Sequence, residues 1–319
     1  MIQKQKLRPV KITKLNLLHI VATALVVCGA LVSTLAGTSG VLHLRKDAEP
    51  SRGYITDNGG VSAFGFDLSL KEFTLERYEG SDKPKTFACT VDCDGQLEEI
   101  RINHPLKKHF RRFYLLSYDP DLEGCSIEAL YDPWGMGLVY AGYALFVLFA
   151  LILLAERLGN KILPLLAIWL TTAALIDIIV KRSEVVPALQ SGLFGPHVAA
   201  VGWSYLLLLA TAVASIVHLC RGKGPSEALR SIHVIGTVLM GVGIILGSIW
   251  GGLAWGRYWG WDPKETWSLV TFVTYSLPLH VKRLQEGKPM LIWLAAAFLC
   301  VLITFVGVNF FASGLHSYL

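Results

Sequence analysis

The sequence predicts an all-α polytopic membrane protein of about seven transmembrane helices with one small β-rich extracytoplasmic domain. Three observations predict it. Of 319 residues, 53% are hydrophobic and only 17% are charged, with a mean hydropathy of +0.49, the composition of a chain that crosses lipid repeatedly. Seven apolar runs follow one another, six at lengths near that of a bilayer span and one, Ser268–Leu279, short enough that Thr266 and Trp267 are needed to extend it. Between the first and second of them, residues 44–132 turn charged and alternate apolar with polar side chains, the period of strands.

The first run, Leu15 to about Ala36, follows a segment with five basic residues and no acid. At about 22 residues it is too long for the apolar core of a signal peptide, so it reads as a retained span with its N-terminus in the cytoplasm. In the β-rich segment, Phe66 to Tyr78 is largely period two. Lys85 to Cys93, Glu98 to Asn103 and Arg112 to Tyr118 are further short strands, punctuated by Gly80, Pro84, Gly95 and Pro105. A domain of this size is marginal alone and leans on the membrane portion or on a partner. The remaining runs are Met136–Ala155, Ile162–Val180, Val198–Leu219, Ile232–Ala254, Ser268–Leu279 and Met290–Phe311.

Seven spans from a cytoplasmic start put the C-terminus outside. Arg157 and Lys161, then Arg221, Lys223 and Arg230, then Lys282, Arg283 and Lys288 fall in the expected cytoplasmic loops, while Lys181 and Arg182 run against the rule. The expected units are residues 1–43, 44–132, 133–160 and 161–319. Asp177 is expected to pair with Lys181 one helical turn on.

Composition also excludes. The net charge of +5 comes without a long basic run or aromatic–basic interleaving, so no nucleic-acid partner is read from it. The six cysteines form no CxxCH, so the chain is not itself a c-type cytochrome. One pair among Cys89, Cys93 and Cys125 could be oxidised in an extracytoplasmic domain.

The stretch that points to chemistry is residues 250–267, WGGLAWGRYWGWDPKETW. It holds five of the nine tryptophans: Trp250, Trp255, Trp259, Trp261 and Trp267. An interfacial aromatic belt needs one or two such rings. Five, interleaved with glycines that let backbone approach a ligand closely, suit a platform for a flat, π-rich, hydrophobic molecule, and haem fits that description. Asp262 and Glu265 have two readings. One is a helix cap, with Pro263 in the first turn. The other is support of the loop or of an incoming peptide.

The histidines fall on two levels. His197, at the outer end of the fourth span, and His316, beyond the last, lie on the same face as the tryptophans. They suit the two axial positions of one haem. His19 and His280 lie near the cytoplasmic ends of the first and sixth spans. Thirteen positions separate Trp267 from His280, about 20 Å of helix, so one iron cannot serve both levels. His218 and His233 occupy cytoplasmic helix ends as well, and position alone does not separate them from His19 and His280. His43 is an outer-end rival to His197, and His104 and His109 read as solvated.

WGRYWGWDPKETWSL resembles the tryptophan-rich WWD motif of the cytochrome c assembly proteins of the Ccs/Res (System II) type. The likeness extends to GPHVAAVGWSYLLLL, to LPLH and to GLHSY, so that about residues 160–319 are similar to the CcsA-like component. LLHIVATALVVCGALVSTLAG, RINHPLKKHFRRFYLLSYDP and the Asp-Pro before the second span resemble, less strongly, the C-terminal part of the ResB/CcsB partner. The chain is therefore similar to a short fusion of the two. The resemblance implies transport of haem b across the membrane and its thioether attachment to the CxxCH of apocytochrome c. The activity implied is part or all of a cytochrome c–haem lyase, in a bacterial inner membrane. It implies that His197 and His316 flank the WWD motif, and that His280 and His19, rather than His218 and His233, are the membrane pair. Thiol-reducing proteins are implied partners, and a separate ResB/CcsB-like subunit is left open by the shortness of the ResB-like half. No catalytic residue is evident. A different class fits the paired histidines alone: a b-type bis-histidine protein relaying electrons across the bilayer. Release of haem with an acceptor peptide discriminates the two. Incidental histidines in a non-haem membrane subunit are a third reading, favoured by absence of haem from the purified protein.

Overall fold

The computed structural model describes residues 14–308. Its first helix, α1 (Lys14–Ala36), passes through Gly37 alone into strand β1 (Thr38–Arg45). Seven more strands follow: β2 (Ser51–Thr56), β3 (Val61–Arg77), β4 (Pro84–Cys93), β5 (Gln96–Arg101), β6 (Leu106–Lys108), β7 (Arg111–Tyr118) and β8 (Gly124–Tyr131). They form one antiparallel sheet in the order β5-β4-β3-β2-β1-β8-β7-β6. The register pairs Thr38 with Tyr131 and Arg45 with Gly124 along the whole of β1 and β8. Alternation along β3 and β4 sends Phe66, Leu68, Leu70, Val91 and Cys93 to one side, as period-two strands require. The two ends of the sheet meet: Arg101 and His104 exchange backbone hydrogen bonds of 3.3 and 2.9 Å just before β6. The rolled sheet thus encloses a continuous core that includes Phe64, Phe113, Cys89, Cys125 and Ile127.

Cys89, Cys93 and Cys125 are all buried there as free thiols. A hydrogen bond to Cys125, then burial, pushes the Cys89 thiol far above its usual range. Burial also raises the Cys93 thiol, so Cys89 and Cys93 are packing groups with little thiolate character.

Beyond the sheet the chain is helical: α2 (Gly135–Leu158), α3 (Ile162–Arg182), α4 (Phe194–Cys220), α5 (Glu227–Ala254), α6 (Pro263–His280) and α7 (Gly287–Leu302), the last continued by a π-turn at Ile303–Gly307. Asp132 starts α2. Its carboxylate accepts N–H bonds from Gly135 and Met136 at 2.7 and 3.1 Å and the Ser33 hydroxyl of α1 at 2.5 Å. α1 and α2 approach closely because Gly29, Gly135 and Gly142 face the partner backbone. A Cβ on Gly29 would lie 2.7 Å from the Gly135 carbonyl oxygen. Small residues at such contacts replace the hydrophobic drive that lipid does not supply. α2 then packs on α5, where the Tyr143 hydroxyl meets Ser248 Oγ at 2.7 Å.

This architecture corrects the expected class. The chain is not all-α with seven spans: an eight-stranded antiparallel sheet stands ahead of the helical part. Among the described residues, five helical segments are long and apolar enough to cross a membrane: Lys14–Ala36, Gly135–Arg182, Phe194–Cys220, Glu227–Ala254 and Gly287–Gly307. Two of the apolar runs lie in the one segment Gly135–Arg182, which turns at Gly159 with a φ of 52°. The run at 268–279 belongs to α6, whose lysine, glutamate and many hydroxyls make it too polar to qualify. The protein is nonetheless a multi-pass membrane protein. Asp177 also differs from expectation. It accepts the Gly195 N–H at the start of α4, at 3.1 Å, in place of pairing with Lys181.

Candidate functional site

The end of α5 and the loop after it form one wall of a cavity of about 280 Å³. His197, Trp250, Trp255, Arg257, Trp259 and Tyr205 line it. Each is placed by a local device. α5 stops at Ala254, where the Trp255 N–H bonds back to Gly251, and Gly256 turns the chain with a φ of 71°. α6 then starts on a capping box: Asp262 accepts the Lys264 N–H at 2.8 Å, and Glu265 accepts the N–H groups of Asp262 and Gly260 at 3.2 and 2.8 Å. The capping reading of Asp262 and Glu265 therefore holds, and Glu265 also borders the cavity. By filling two backbone donors it fixes the loop between the two helices.

Trp250 is only 2% exposed and donates its indole N–H to the Ala188 carbonyl at 3.0 Å. Its ring meets Phe194, Trp255 and His197 at centroid distances of 5.2, 5.1 and 5.9 Å. His197 Nδ1 lies 2.8 Å from the Gly243 carbonyl oxygen. A carbonyl only accepts, so Nδ1 carries the proton and Nε2 is the basic nitrogen, the arrangement of metal-binding histidines. The imidazole rests on Gly247, where a Cβ would come within 2.6 Å of Cε1.

Trp261 is 70% exposed, lies outside the cavity and touches Trp259 edge-on at 5.9 Å. Trp267 lies on α6, also away from the cavity lining. His316 lies outside the described residues.

The inner histidines come together. His19 Nδ1 and His280 Nε2 are 3.0 Å apart, with the rings stacked at 5.0 Å and Phe149 stacked on His19 at 4.6 Å. That spacing is a hydrogen bond. It is about 1 Å short of the roughly 4 Å that two metal–nitrogen bonds span. The other two histidines expected at that level do something else. His233 is 1% exposed and bonds the Tyr275 carbonyl at 2.8 Å, and His218 bonds Gly224 at the end of α4. His43 sits on β1 against Asp119 at 3.0 Å. Among the described residues no group of three or more His, Cys, Asp or Glu is arranged to hold a bare metal ion. A pair of imidazoles suits an iron that already carries four equatorial ligands.

Sequence reasoning missed Arg257, Tyr205, Tyr258 and Arg112. Arg257 and Tyr258 sit inside the tryptophan stretch, and a cation among tryptophans was the available signal. Arg112 carried none, because it is remote in the chain. Its guanidinium on β7 donates to the Tyr258 hydroxyl and lies 5.5 Å from the ring centre. That hydroxyl also meets Tyr140 on α2 at 3.1 Å, while the Tyr258 carbonyl accepts from Ser248 at 2.7 Å. Burial pushes the Tyr258 hydroxyl far above the usual phenol range, with Tyr114 adding to it. Burial alone would lower the Arg112 guanidinium, but Tyr258 and Tyr114 together raise it. The phenol is thus neutral and the guanidinium charged. Asn103, after β5, reaches the Pro187 and Ala188 carbonyls at 3.2 Å. The β domain therefore holds the tryptophan loop through Arg112 and the segment beneath Trp250 through Asn103.

The profile of the family described as "Cytochrome C assembly protein" matches residues 134–316, and that of the "ResB-like family" matches residues 16–131. A relative named "Cytochrome c biogenesis protein CcsA" from Chlamydomonas reinhardtii is 34% identical over 194 residues, covering 55% of this chain and 55% of its own. Another of that name, from Gloeobacter violaceus, is 41% identical over 116 residues, 34% of each chain. "Protein NrfI" from Wolinella succinogenes is 33% identical over 232 residues, 65% of this chain and 24% of its own. The chain thus spans about half the first relative's length, a third of the second's and a quarter of the third's.

Proposed function

This chain belongs to the cytochrome c assembly protein family, with a ResB-like part ahead of it, and from that premise we propose that it acts in cytochrome c biogenesis by carrying haem b across the membrane and presenting it to apocytochrome c. Haem is the cargo. The observation that carries the reading is His197, with its tautomer fixed by Gly243, facing one cavity with Trp250, Trp255 and Trp259. The tryptophans supply apolar walls for a macrocycle, and His197 supplies one axial nitrogen, with His316 as the second. Arg257 and Lys264 border the same cavity and suit carboxylates at the cargo's polar edge.

His19 and His280 form the inner site, their rings parting to admit the iron. The N-terminus lies in the cytoplasm and the tryptophan loop outside, in a bacterial inner membrane. At the outer site each cysteine thiol of CxxCH adds across a haem vinyl group. A carbon–sulfur bond forms, the thiol hydrogen goes to the neighbouring vinyl carbon, and nothing leaves. The cysteines must be thiols, which makes thiol-reducing proteins partners. A separate ResB-like subunit is a further partner to be sought. Holding thiols beside the vinyls makes the reaction effectively intramolecular, so the chain contributes position rather than a nucleophile.

The test is an absorption spectrum of the detergent-purified protein as wild type, His197→Ala, His280→Ala and the double variant. Low-spin haem in the wild type, reduced by each single change and abolished by both, supports the two sites. A spectrum indifferent to His197 removes the outer site. The His19–His280 contact would serve an electron relay equally well. Transfer of the haem to a CxxCH peptide, scored by a covalent mass gain, separates carriage from relay.

A further inference from the structure

Beside the His19–His280 pair lies a second cavity, of about 220 Å³. Its walls are the first turn of α1, the end of α2, the first turns of α5, the end of α6 and the turn into α7. The ionisable side chains that line it are Arg157, Arg230, His233, His280 and Glu286. His233 is held by the Tyr275 carbonyl, and Glu286 is an exposed carboxylate on the rim; the two guanidiniums and His280 are the remaining ionisable groups of the lining.

Arg230 is the informative one. Its side chain is 27% exposed, and its Nη1 donates to the Gln285 carbonyl and lies 3.8 Å from the Met290 sulfur. The nearest carboxylate, Glu227, stands 4.0 Å from Nε. A guanidinium offers five N–H donors in a planar fork matched to a carboxylate, and here its close partners are neutral. Arg157 pairs with the same Glu227 at 2.9 Å, and that glutamate is 73% exposed. Such a surface pair contributes about 0–1 kcal/mol and yields readily to a better partner.

One small cavity thus places an imidazole on one wall and two arginines on another. A ligand that uses both is a metal-bearing apolar macrocycle with carboxylates on one edge. We propose that Arg230 and Arg157 form a carboxylate-binding subsite of the inner site, selecting haem by its two free propionates. This rests on the reading of His19 and His280 as haem ligands.

The test uses the full chain in detergent with His197→Ala, titrated with haemin and with haemin dimethyl ester, followed by absorption near 400 nm. Haemin should bind at least tenfold more tightly than the ester. Arg230→Gln with Arg157→Gln should bring haemin down to the ester's affinity and leave the ester unchanged, which also reports that the variant is folded. Arg230→Lys should fall between. Equal binding of haemin and ester, or haemin binding that survives loss of both arginines but not His280→Ala, overturns the subsite alone. Binding indifferent to both His19→Ala and His280→Ala overturns the inner site and the subsite with it.

Discussion

The Arg112 guanidinium of the β domain donates a hydrogen bond to the Tyr258 hydroxyl in the middle of the tryptophan loop. Both groups are half-buried, and Tyr140 shares the same hydroxyl. Tyr258→Phe leaves Arg112 without that acceptor and should cost about 1–3 kcal/mol. Arg112→Gln should cost a similar amount. The double variant should lose clearly less than the sum, since both changes break one contact. Denaturant unfolding of the solubilised protein measures this, and strictly additive losses would show that the two side chains act separately.

Gly247 is the seat of the His197 ring. Gly247→Ala puts a methyl group 2.6 Å from Cε1 and 2.8 Å from Nδ1, so the imidazole must move off the Gly243 carbonyl. Overpacking of this kind costs about 1–3 kcal/mol. The variant should reproduce the spectral change of His197→Ala with its histidine intact. Gly137→Ala, which meets nothing within 4 Å, is the control. A wild-type spectrum in Gly247→Ala would show that the ring position is not set by that glycine.

The tryptophans should divide sharply. Trp250→Ala removes a fully packed ring and its bond to Ala188, a loss of about 3–5 kcal/mol. Trp261→Ala removes an exposed ring and should change stability by no more than about 0.5 kcal/mol. Unfolding curves for the two give the stability difference, and haem content should fall for Trp255→Ala and Trp259→Ala but not for Trp261→Ala. Equal effects at all positions would mean that the loop, rather than the cavity, is the unit of function.

Glu128 on β8 stands beside Gly256 of the tryptophan loop. Burial raises its carboxyl above the ordinary range, and Arg257 opposes part of the rise. A carboxyl raised by folding binds its proton more tightly in the folded state. Its contribution is therefore complete below the unfolded-state value and is lost as pH rises through the folded one. Glu128→Gln should remove this group's share of any fall in melting temperature as pH rises above the ordinary glutamate range. An unchanged pH profile would assign that fall to other groups.

Local features were legible in the sequence, and distant pairings were not. The capping box at Asp262 and Glu265 is written in four consecutive residues, so it could be read directly. Strands β3 and β4 announce themselves by alternation, and the tryptophan stretch by composition. The end-to-end pairing of β1 with β8 carries no such mark, and it is what brings Arg112 to Tyr258. The apolar runs were visible, but how many qualify as spans was not. Merging Gly135–Arg182 depends on the turn at Gly159, and the polarity of α6 shows only when its first turn, Pro263 to Trp267, is counted. His233 and His280 look alike in sequence. Only packing shows that one ends on a carbonyl and the other on His19.

The junctions at Gly37 and Asp132–Trp134 carry a last consequence. With one residue on one side and three on the other, and with Ser33 tied to Asp132, the sheet has no hinge above its two helices. Inserting a single residue would turn the following helix by about 100° or flip every side chain of the following strand to the opposite face. The chain therefore acts as a ruler: the height and heading of Arg112 over the tryptophans are counted out in residues from α1 and α2. Lengthening a junction should disable the loop without touching any residue in it.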